Sequence, residues 1–126
     1  MLGERATGHR LVDGWRFRPD AISPRVLELG VATEQYPVTV TECRLDVRWF
    51  EGGDYSIHYL ETSTEETWQC RWDRHPKASA PEDHFHPPPD AASTATAPSP
   101  LDGTHPLDVL FAVLDWLESR VEEHYD

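Results

Sequence analysis

At 126 residues the chain is long enough for one domain with a substantial core and too short for two. Eleven Lys and Arg face 23 Asp and Glu, a formal net charge of −12 that argues against coating nucleic acid through a basic stripe, though a local arginine pocket in an acidic shell is compatible with it. Lys77 is the only lysine; an acidic, lysine-poor surface suits a high-salt cytoplasm and leans towards a halophilic source, a plain acidic protein being the alternative.

Two cysteines, Cys43 and Cys70, fall in no CxxC spacing and are expected to be buried free thiols of a cytoplasmic protein. Met1 is followed by Leu-Gly-Glu-Arg rather than by a basic and then apolar run, and no apolar run is long enough to span a bilayer, so a soluble, intracellular chain with no membrane association is expected. There is no Gly-rich phosphate loop and no GxSxG elbow, which excludes those enzyme classes.

In chain order, residues 1–10 are polar and aperiodic and read as a loose arm. Trp15-Arg-Phe-Arg18 alternates before Pro19 and predicts a short edge strand; residues 25–29 fit a second strand or one helical turn. From residue 38 to 50, Cys43, Leu45, Val47 and Trp49 alternate with Arg44, Asp46 and Arg48, the pattern of a half-buried strand. Glu51-Gly-Gly-Asp54 reads as a hairpin turn, residues 55–61 and 67–74 as the next two strands, and residues 62–66 as the turn between them. Centring the first turn near Gly53 places Ile57 beside Trp49; centring the second between Thr64 and Glu65 places Ile57 beside Trp72. One face is then aromatic core, and on the other His58 lies between Arg48 and Arg71. Residues 76–103 form a His- and Pro-rich loop, of which 90–100 is expected to order poorly. A helix is predicted over 104–124, capped by Thr104, with Leu107, Leu110, Phe111, Leu114, Leu117 and Val121 as its buried stripe and Asp108, Asp115, Glu118, Glu122 and Glu123 as its solvated side. These elements together predict an α+β fold: an antiparallel sheet of four to six strands packed against one C-terminal helix.

The chemistry gathers around Trp68-Gln-Cys-Arg-Trp-Asp-Arg-His-Pro76 and His84-Phe-His86, which deliver Arg71, Asp73, Arg74 and three histidines to one region. Histidine changes charge nearest neutral pH, so its clustering beside arginine and aspartate points to acid–base chemistry. His58 alone is an ordinary structural histidine; two arginine neighbours would lower its pKa and make it a neutral base. An extended His84-Phe-His86 sends both imidazoles to one side and Phe85 to the other, and Pro87 to Pro89 stiffen the chain immediately beyond it; the bland alternative is an exposed polar loop. His75, His84 and His86 with His58 or Asp73 could hold zinc, manganese or nickel, but the spacing is no standard zinc signature and Arg71 and Arg74 would repel a cation, so no metal and no cofactor is assigned. Asp73 is expected to orient a histidine or pair with an arginine. His9, His105 and His124 read as surface residues; Trp15, Phe17, Trp68 and Trp72 read as core.

Tyr55-Ser-Ile-His-Tyr59, then Trp72-Asp-Arg-His-Pro76, then His84-Phe-His86 resemble the TumE-type family of small toxin-like proteins over about residues 44–89 and the terminal helix, and the His-Phe-His-Pro-Pro form is similar to haloarchaeal proteins. Trp72 stands where that family prefers tyrosine, and the Pro/Ala-rich loop is a departure. The resemblance implies a toxin paired with an antitoxin that carries a DNA-binding domain, an RNase-like activity, and functional roles for His58, Tyr59, Arg71, Asp73, His75, His84 and His86. The combined expectation is a metal-independent ribonuclease with RNA as substrate: Arg48, Arg71 and Arg74 bind phosphate; His58, Arg71, Asp73, His75, His84 and His86 are catalytic, with His58 and His86 as base and acid and Asp73 orienting. The alternative is a non-enzymatic protein- or metal-binding module.

Overall fold

The structure, a computed structural model, describes residues 11–18, 26–49, 55–64, 66–74, 83–91, 97–98 and 106–125. Seven strands, β1 (Val12–Arg18), β2 (Val26–Val31), β3 (Val40–Trp49), β4 (Tyr55–Ser63), β5 (Thr67–Arg74), β6 (Asp83–His86) and β7 (Ala97–Pro98), lie side by side in chain order, each antiparallel to the next. Among the described residues one α-helix, α1 (Pro106–Glu123), follows them, and a short 3-10 turn (Thr33–Gln35) lies between β2 and β3. This is the α+β arrangement expected: six strands of at least four residues, extended at one edge by the two-residue β7. Residues 26–31 resolve the strand-or-turn alternative as strand, because Leu27 and Leu29 alternate inward while the backbone pairs on both sides. Two pieces of the 76–103 stretch are also sheet, since 83–86 pairs with β5 and 97–98 with β6; Asp90 bridges to Gln69 and Ala91 is buried.

The two long hairpins test the register. Between β4 and β5, Ile57 faces Trp72, Tyr59 faces Cys70 and His58 faces Arg71, as the turn centred between Thr64 and Glu65 requires. Between β3 and β4 the expectation is corrected: Trp49 pairs with Tyr55, Val47 with Ile57 and Asp46 with His58, so the hairpin is centred on position 52 rather than 53. A two-residue slip leaves every side chain on its face and changes only its cross-strand neighbour. The aromatic face is therefore intact, but Arg48 sits opposite Ser56, and Asp46 takes the place beside His58 that Arg48 was expected to hold.

The core lies between the helix and the inward face of the sheet, where Leu29, Leu45, Ile57, Tyr59, Cys70 and Trp72 meet Leu110, Val113, Leu114 and Leu117. Trp116 sets how the helix is turned, with its ring edge-on to Tyr59 at 5.0 Å and to Trp72 at 4.9 Å. That contact draws the 109–113–116 side of α1 onto the sheet and leaves Phe111, expected in the stripe, 42% exposed. Trp15, expected in the core, is 37% exposed on the edge strand β1. Cys43 and Cys70 are buried free thiols, and burial pushes the first up to about 11 and the second to about 12. The side chains of Phe17 and Leu107, and the cap at Thr104, lie outside the described residues. No helix among the described residues is long and apolar enough to cross a membrane.

Candidate functional site

The site is built by the two-residue period of β5 and β6. Trp72 points to the helix, so Arg71 and Asp73 point to the opposite face. In β6 the Phe85 ring packs on Trp72 at 5.4 Å, which sends His84 and His86 to the Asp73 side. The register then makes two transverse rows: Asp46, His58, Arg71 and His86 in one, and Arg48, Ser56, Asp73 and His84 in the next.

At the β5–β6 end, the row members interlock. Asp73 Oδ2 accepts from Arg71 Nε at 2.9 Å and lies 2.9 Å from His86 Nε2 and 3.8 Å from His84 Nε2. Burial opposes charge on Asp73, but the Ser56 hydroxyl, Arg71 and His86 outweigh it and hold the carboxyl below its ordinary pKa. His84 and His86 are each 1% exposed and Asp73 4%, and one ligand-type atom from each of the three lies within 4.8 Å of the others. His86, expected to act on substrate as an acid, is thus packed beneath the surface against Asp73.

The β3–β4 end is more open. His58 is half-buried, with Nε2 2.7 Å from Gln69 Oε1. An amide oxygen only accepts, so Nε2 is the donor of this hydrogen bond. Arg71 keeps 30% of its side chain exposed. Arg48 is exposed and has no ion-pair partner among the described residues, whereas Arg44 is held by Asp46 at 3.4 Å and Arg16 by Glu28 at 3.3 Å. Arg74 alternates to the other face, opposite Tyr55, and does not join this group. His75, His9 and His105 lie outside the described residues.

Alternation places Ser56 and Gln69 on the same face as Asp73 and His58, but neither was among the expected site residues. Sequence reasoning missed a second ionic cluster on the helix side. Glu61, buried at 4% exposure, accepts from two of the three Arg120 nitrogens, Nε at 3.0 Å and Nη2 at 2.8 Å, and from the Tyr59 hydroxyl at 2.7 Å. His124, expected at the surface, instead places Nε2 3.1 Å from Glu61 Oε2. The Tyr59 proton goes to Glu61, so Tyr36, 2.8 Å away, donates to Tyr59.

No curated protein and no solved structure matches the chain. The family model described as Toxin TumE matches residues 3–121, nearly the whole length, and takes in both rows of the polar face together with most of the helix that backs them. The chain belongs to the TumE toxin family.

Proposed function

We propose that this chain is the toxin of a toxin–antitoxin pair and that it cleaves RNA by histidine and arginine acid–base chemistry, its cognate antitoxin carrying a DNA-binding domain. Membership of a toxin family supports the first part. The observation that carries the second is the pairing of His58 with Arg71 on the polar face, with the exposed Arg48 one row away. Neighbouring strands lie about 4.8 Å apart, so a phosphodiester held by the Arg71 guanidinium rests within reach of the His58 ring.

His58 Nδ1 takes the proton of the ribose 2′-hydroxyl, whose oxygen bonds to phosphorus as the bond to the 5′-oxygen breaks. The products are a 2′,3′-cyclic phosphate and a 5′-hydroxyl, the departing oxygen taking its proton from water. Arg71 and Arg48 stabilise the charge that builds on the phosphoryl oxygens. Asp73 holds Arg71 in place, and His84 and His86 support Asp73, so these three act behind the substrate-contacting groups. Arg74 and His75 are given no part in this step.

The test is growth arrest on expression together with RNA cleavage by the purified chain. Replacing His58 by Ala should lower cleavage about 10²- to 10⁴-fold, the usual worth of a general base, without changing the unfolding midpoint by more than a few degrees. A His58→Ala protein that still arrests growth and cuts RNA at the wild-type rate would overturn the mechanism.

A further inference from the structure

Asp73, His84 and His86 have geometry that acid–base support does not require. Two imidazole nitrogens converge on one carboxylate oxygen at 2.9 and 3.8 Å, inside a patch where each residue is at most 4% exposed. On a tetrahedral zinc ion with bonds of about 2.0–2.2 Å, neighbouring donor atoms sit roughly 3.3–3.5 Å apart, between those two distances. Two imidazoles on adjacent corners of such an ion place their ring centres about 5 Å apart. The His84 and His86 rings stand 5.1 Å apart at 77°.

We propose that Asp73, His84 and His86 bind one zinc(II) ion, which clasps the four-residue β6 to β5 beneath Arg71. The donor set is neutral nitrogen plus carboxylate, which suits zinc and its neighbours and is wrong for magnesium or calcium, which take oxygen. Asp73 Oδ2 with the two imidazole nitrogens supplies three donors from three side chains, and a solvent molecule completes the tetrahedron. Metal-binding carboxylates are as a rule themselves hydrogen-bonded, and here Ser56 and Arg71 bond to Asp73. Arg71 is the obstacle, being a cation beside the site, but 30% of its side chain meets solvent and the Asp73 charge lies between. Burial of all three ligands sets the ion beneath the surface, so it is assigned to the fold and not to the chemical step. This assignment stands apart from RNA cleavage: it is read by metal binding alone and can fail while cleavage persists.

The full chain, stripped with a chelator and refolded, should be titrated with zinc chloride by calorimetry and with cobalt(II) by visible absorption. One ion per chain, the intense d–d bands of tetrahedral cobalt, and a rise of roughly 10 °C in the unfolding midpoint at a hundredfold excess over Kd are expected. Asp73→Asn keeps the shape and removes the anionic ligand, and should weaken zinc at least a hundredfold; His124→Gln should leave the affinity unchanged. The cobalt spectrum of the wild-type chain decides the matter even where a variant fails to fold. A folded wild-type chain that takes up neither ion, or an Asp73→Asn chain that binds zinc as tightly, would overturn the proposal.

Discussion

The sheet buries a carboxylate on each of its faces, and the two are treated differently. On the helix side, Glu61 has two donors on each oxygen: Tyr59 and Arg120 on one, Arg120 and His124 on the other. Arg120 in turn lies 3.6 Å over the Trp68 ring, so every charged part has an assigned partner. On the polar face, Asp73 gathers Arg71 and two imidazole nitrogens around a single oxygen, and its arginine reaches solvent. A saturated buried pair fixes the packing of helix on sheet. A crowded oxygen beside an accessible arginine is an arrangement suited to binding, and the proposed function draws on it.

This contrast can be broken most forcefully at Arg120. Arg120→Met leaves Glu61 buried without its cation and should cost about 3–5 kcal/mol in urea unfolding, most of it recovered in the Glu61→Leu, Arg120→Met double variant, where no charge remains. Arg71→Met should cost less, about 1–2 kcal/mol, because Ser56 still bonds to Asp73 and solvent reaches the vacated space. If the two arginines cost the same, the two clusters are not different in kind.

Acid should reveal the same two groups. The folded pKa of Glu61 is held below its ordinary 4.5 because Arg120, Tyr59 and His124 outweigh its burial, and that of Asp73 lies below its ordinary 3.8. A depressed carboxylate contributes stability that is present above its unfolded pKa and is lost as pH falls through the folded one. Urea midpoints should therefore be level near neutral pH and drop below about pH 5, and the Glu61→Leu, Arg120→Met variant should show a shallower drop. The smallest effect is expected at Phe111, where replacement by Ser should change stability by no more than about 0.5 kcal/mol, against about 2–5 for Leu114→Ala in the core.

How much of the molecule could be read from the chain depends on how local each constraint is. Alternation in residues 67–74 fixes which side chains share a face, and Thr64 and Glu65 admit one symmetric turn, so the His58–Arg71 pair was legible. Two glycines at 52 and 53 admit either as the centre of a longer turn, and both choices keep the same faces, so the Arg48 neighbour was not. Phe111 satisfies helical spacing as well as Leu110 does; only the docking of Trp116 between Tyr59 and Trp72 tells them apart. His124 and Glu61 are 63 residues apart in sequence, and nothing local to either announces their contact.

Whether His58 and Arg71 work on a ribose phosphate is answered most directly by the ends of the cut RNA. Purified protein should be incubated with an RNA oligonucleotide and with the same oligonucleotide carrying 2′-deoxyribose at the cleaved position, and the fragments weighed by mass spectrometry. The mechanism predicts a 2′,3′-cyclic phosphate on one fragment, a 5′-hydroxyl on the other, and no cut at the deoxyribose. A 5′-phosphate product, or cleavage that ignores the missing hydroxyl, would contradict it.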